Sequence, residues 1–81
     1  MAKLRILSAR GDSVVEWDPK LADAGDTEAS AAVKEAERIF DEQRERGATA
    51  FLVAPGKPAE RIDGFDPSAD EIIMVPRVAG G

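Results

Sequence analysis

Residues 26–47 read DTEASAAVKEAERIFDEQRERG. Ala29, Ala32, Val33, Ala36, Ile39, Phe40 and Gln43 recur at three- and four-residue spacing, and all but Gln43 are apolar. That spacing gathers one face of an amphipathic helix of about five turns. Lys34, Glu35, Glu37, Arg38, Asp41, Glu42 and Glu45 fill most of the other positions and are expected to face water. Asp26 or Thr27 can cap the start, because either side-chain oxygen can accept an N–H that the first turn leaves unpaired. Gly47 suits the position just past the end, where the backbone turns left-handed, and Arg44 and Arg46 suit the negative end of the helix dipole.

On the N-terminal side, Lys3-Leu4-Arg5-Ile6-Leu7-Ser8 partly alternates charged and apolar residues, predicting a strand over 3–8 with Leu4 and Ile6 on the buried side. Gly11-Asp12 supplies a turn, and Val14-Val15-Glu16-Trp17 predicts a second strand, completing a hairpin that Asp18-Pro19 ends. Residues 18–26 read as a loop. Trp17 reads as a core or rim aromatic in preference to a partner contact.

On the C-terminal side, Thr49-Ala50-Phe51-Leu52-Val53 reads as a third strand, stopped by Pro55-Gly56-Lys57-Pro58. Glu60-Arg61-Ile62 reads as a short, polar strand near an edge. Residues 64–70 read as a turn in which Phe65 plugs the core. Glu71-Ile72-Ile73-Met74-Val75 is the most apolar strand, nearly continuous in hydrophobicity, and is expected at the sheet centre with both faces covered or with an adhesive outer face. Pro76 ends it. The expected fold is α+β, a mixed sheet of four to five strands with one helix across one face. The expected domain covers residues 1–76 and a flexible tail covers 77–81.

Composition excludes several function classes. The chain has 81 residues, 43% of them hydrophobic and 33% charged, as expected for one folded domain. The formal charge is −5 and no Lys/Arg cluster stands out, which disfavours nucleic acid and would suit docking onto a basic protein surface. There is no Cys and no His. The usual general base, the thiolate nucleophile and the commonest metal ligands are therefore missing. Asp18, Asp23 and Asp26 lack a cation-loop spacing. Asp63, Asp66, Asp70 and Glu71 are explained by turn and cap duty. No apolar run reaches membrane-span length, and Met1-Ala2-Lys3-Leu4-Arg5 has no signal-peptide core, so a cytoplasmic location is expected.

The element order resembles the β-grasp fold of ubiquitin and its prokaryotic relatives. Asp70-Glu71-Ile72-Ile73-Met74-Val75-Pro76-Arg77-Val78-Ala79-Gly80-Gly81 is similar to the end of the molybdopterin-synthase sulfur carrier, of the molybdopterin- and thiamine-type superfamily, where a hydrophobic last strand runs into a Pro and then a Val-Ala/Ser-Gly-Gly terminus. The chain looks closer still to bacterial ubiquitin-like proteins encoded beside E1-like, E2-like and JAB-type peptidase genes. It shares with them Glu16-Trp17-Asp18-Pro19, Phe65-Asp66-Pro67 and the Val-Pro-x-x-Ala-Gly-Gly ending. Arg77 stands where the sulfur carriers usually have a second Pro.

The resemblance implies a non-enzymatic protein modifier covalently joined through Gly81, with no cofactor of its own. An E1-like activating enzyme would use ATP to adenylate the terminal carboxylate, and thioester chemistry would pass it to a target protein. An E2-like conjugating enzyme and a JAB-type peptidase are the further partners implied. The alternatives are a sulfur carrier bearing a terminal thiocarboxylate and a non-covalent adaptor with an inert tail. Residues 76–81 can extend about 20 Å at roughly 3.3 Å each. Arg77, Val78, Ala79, Gly80 and Gly81 are expected to thread a narrow channel, the last two without a Cβ. Leu7, Leu52, Ile72 and Met74 are the candidates for an exposed apolar docking patch on the side of the sheet away from the helix.

Overall fold

The computed structural model describes residues 1–77. Seven elements follow one another: β1 (Ala2–Ile6), β2 (Ser13–Trp17), α1 (Pro19–Asp23), α2 (Thr27–Glu45), β3 (Thr49–Val53), β4 (Glu60–Ile62) and β5 (Glu71–Val75). The strands form one mixed sheet in the order β2-β1-β5-β3-β4. β1 and β5 run parallel at its centre, and the other neighbours are antiparallel. The short polar strand β4 lies at an edge and the apolar β5 in the middle, as their sequences imply.

Helix α2 starts and stops where its capping chemistry does. The Asp26 carboxylate accepts the Ala29 N–H at 2.9 Å, and at the other end the Ala48 N–H reaches the Gln43 carbonyl at 3.0 Å. Gly47 sits between with φ +92, a conformation a side chain would strain. Ala29, Ala36 and Phe40 are buried, and Ala32, Val33 and Ile39 pack beside them. They close over Leu4, Ala50, Ile72 and Met74. Each large side chain fully removed from water contributes about 1.5–3 kcal/mol, and Trp17, Phe40, Leu4, Ile72 and Met74 are the largest of these. No polar or charged residue is buried among the described residues.

The aromatic side chains lock the far end of the core. Phe65 packs on Trp17 at 5.6 Å between ring centroids and meets Phe40 nearly edge-on at 5.7 Å. The indole Nε1 of Trp17 donates to the Pro67 carbonyl at 2.9 Å. Trp17 is thus a core residue that ties the hairpin to the turn preceding β5.

Two expectations are corrected. Residues 18–26 are not all loop: Pro19–Asp23 form α1, which lies against α2. The Asp18 carboxylate accepts the Lys20 N–H at 2.9 Å and the Leu21 N–H at 3.4 Å. Pro19 needs no partner for an N–H it lacks at the first helical position. The dipeptide that ends the hairpin therefore also begins a helix, so the domain has a second helix, packed on α2. The first strand spans Ala2–Ile6, not 3–8, and Ala2 enters the core.

Candidate functional site

Register sorts every sheet residue to one of two sides. Paired residues share a side, and side chains alternate along each strand. Leu4 pairs Ile72, Ile6 pairs Met74, Ala50 pairs Met74, and Leu52 pairs Ile72, so all of these point toward α2. Ile72 and Met74 are 0% exposed. They cannot belong to an exposed docking patch, and Leu52 packs against the same core. The near-continuous hydrophobicity of β5 conceals its alternation, which is why the sequence assigned the wrong pair of residues to the outer side. Leu7, just past β1, is half-buried; its N–H donates to the Met74 carbonyl, and alternation places its side chain on the other side.

That other side carries Phe51 and Ile73, directly paired, with Val75 and Val53 beside them. All four are half-buried although no described helix covers them, because neighbours across strands shield one another. Val14 of β2 extends the strip, 44% exposed and paired with Arg5. Charge surrounds the apolar strip. Arg5 lies 3.4 Å from the Glu71 carboxylate and 4.0 Å from that of Asp12. The Arg5 Nε is close enough to Glu71 for ion pairing but is not aimed along a hydrogen bond. Lys3 and Arg61 share this side with Glu16 and Glu71. The carboxylates of α2 lie on the opposite side of the molecule, so an acidic overall charge does not describe the open sheet face. The signal that locates the strip is the alternation of Phe51 and Val53 in β3 with Ile73 and Val75 in β5.

Strand β5 delivers the chain to the end of the sheet nearest the close of α2. Val75 pairs Thr49, and the Arg77 side chain then passes over Gly47. Arg77, expected as the first residue of a free tail, is exposed to solvent and yet lies in contact with the domain. Val78, Ala79, Gly80 and Gly81 lie outside the described residues.

Four of the candidate carboxylates have structural partners. Asp18 and Asp26 cap helices, and Asp66 accepts from the Ser68 N–H at 2.9 Å and the Ser68 hydroxyl at 2.7 Å. Asp63 pairs with Arg44 at 3.4 Å. Among the described residues no group of three such side chains is arranged to hold a metal ion. No described helix is long and apolar enough to cross a membrane. Compared with known proteins, the chain matches no family model, no curated protein and no solved structure.

Proposed function

We propose that the chain is a ubiquitin-like β-grasp protein modifier, activated at the Gly81 carboxylate and transferred to a target protein. The observation that carries this reading is the strand order β2-β1-β5-β3-β4, with α2 packed across one face. This arrangement makes the last strand central and anchored on both sides, so it can support a chain end offered to another protein. The following residues are small: Val78, Ala79, Gly80 and Gly81 present little bulk to a narrow channel.

A carboxylate is a poor acyl donor. An E1-like partner would join it to the α-phosphate of ATP, releasing pyrophosphate. A thiolate on a partner protein would then attack the acyl carbon, forming a thioester and releasing AMP. An amine on the target would take the acyl group from the thioester and release the thiol. None of these steps needs a general base from this chain, which has no His or Cys. Docking falls to the Phe51–Ile73 strip, whose apolar centre and mixed charged border have the anatomy of a protein interface.

The test is intact mass spectrometry after incubation with ATP and E1-like enzymes from the same genome. The expected result is an ATP-dependent covalent adduct that disappears when Gly80 and Gly81 are deleted. Exchange of one terminal oxygen for sulfur would instead identify a sulfur carrier. An unchanged mass with every native activating enzyme would leave only the non-covalent adaptor and refute activation at Gly81.

A further inference from the structure

Gly47 has a second property besides its left-handed backbone. A methyl group at its Cα would lie 3.0 Å from Arg77 Cδ, 3.5 Å from Arg77 Cβ and 3.8 Å from Arg77 Cγ. The first distance is below van der Waals contact, so the long aliphatic stem of Arg77 occupies the space a β-carbon would need. Gly11, Gly25 and Gly56 also have positive φ, and a methyl at each would meet nothing within 4 Å. Backbone conformation alone accounts for those three but not for the close approach at Gly47.

The elements around Gly47 make this seat rigid. The Gly47 N–H donates to the Arg44 carbonyl at 3.0 Å, and the Ala48 N–H donates to Gln43. Arg44 Nη1 donates to the Ala48 carbonyl at 3.0 Å, and Ala48 is buried. Opposite them, Thr49 pairs Val75, which fixes where β5 ends and Arg77 begins its path. Arg77 makes no ion pair among the described residues, and its aliphatic stem lies over the Gly47 Cα.

We propose that Gly47 is a positioning residue for the chain end: its bare Cα is a seat that holds the Arg77 side chain against the close of α2. In the modifier reading, on which the purpose of the seat rests, Arg77 meets an acidic partner group with less conformational freedom left to lose. The seat itself is intramolecular and is tested without any partner.

Nuclear Overhauser contacts between the Gly47 Hα protons and the Arg77 Hβ, Hγ and Hδ protons are expected in the full chain. Gly47→Ala should abolish the Hδ contact and speed tryptic cleavage of the Arg77–Val78 bond by about two- to tenfold, the range set by freeing one long side chain. Gly25→Ala is the matched control, with φ +87 against +92 and no side chain to displace. It should strain the backbone equally and leave cleavage at Arg77 unchanged. Absence of the contacts in the parent chain, or equal acceleration by the two substitutions, would overturn the proposal. The parent-chain contacts decide it even if Gly47→Ala fails to fold. A seated Arg77 in a chain that no native enzyme activates would refute the modifier reading and leave the seat standing.

Discussion

Trp17 carries two kinds of attachment at once, and they can be separated. Its ring fills the space beside Phe65, and its N–H meets the Pro67 carbonyl. Trp17→Phe keeps most of the ring and leaves the carbonyl without its donor, so unfolding should become easier by about 1–3 kcal/mol. Because Trp17 is the only tryptophan, urea melts of this variant are best followed by circular dichroism. A second residue-scale comparison tests the two sides of β5. Ile72→Ala empties a fully buried site and should cost about 2–5 kcal/mol. Ile73→Ala, one position along on the open side, should cost clearly less in the same denaturant titration. Equal losses would mean that the open side is covered and that its residues cannot serve as a docking strip.

The elements differ in how much of their stability is local. Helix α1 has five residues and no buried side chain, so its cap matters more than its packing. Asp18→Ala should weaken it by about 1 kcal/mol, seen as faster amide hydrogen exchange at Ala22 and Ala24 with little change at Ala36. Helix α2 carries an exposed charge ladder in which Arg38 bonds Glu35 at 2.6 Å and Glu42 at 2.9 Å. The Arg38 hydrogen bond holds the Glu35 carboxyl below the usual glutamate range, overcoming the opposing desolvation with the help of the Arg38 charge. A lowered folded value favours the fold above the unfolded value, and the benefit disappears as pH falls through the folded one. Solvent screening keeps it small. In Arg38→Ala, Glu35 should titrate higher by NMR, and any stability gap from the parent should close as pH drops below the ordinary glutamate range.

Helix α2, β3, β4 and β5 were legible in the sequence because periodicity, caps and turn residues agree there. Helix α1 was harder because Asp18-Pro19 is both a strand stop and a helix start, and five residues are too few to display a period. The patch was misplaced for a different reason. Ile72, Ile73, Met74 and Val75 are all apolar, so only pairing with Leu4, Ile6 and Ala50 reveals which alternate pair is inside.

At the scale of the whole molecule, body and chain end are expected to fail separately. Deleting Gly80 and Gly81 leaves every core residue of the described part in place, so the melting temperature should stay within experimental error while ATP-dependent adduct formation is lost. Phe51→Ser with Ile73→Ser should do the reverse of a core mutation, lowering affinity for an activating partner while circular dichroism remains unchanged. Helix α2, away from that strip, carries six carboxylates against three cations, a net −3 of the chain's −5. Added salt should therefore affect a partner held by the open face less than one held by the helices.

The parallel β1–β5 pair has a mechanical consequence. The two strands run side by side from Lys3 opposite Glu71 to Ile6 opposite Met74, and the chain enters at the start of one and leaves at the end of the other. Tension applied at both termini would slide these central strands past each other and load their cross-links together, not peel them apart one by one. A domain tethered at its last residue and pulled from its first would resist stretching far better than its small size suggests.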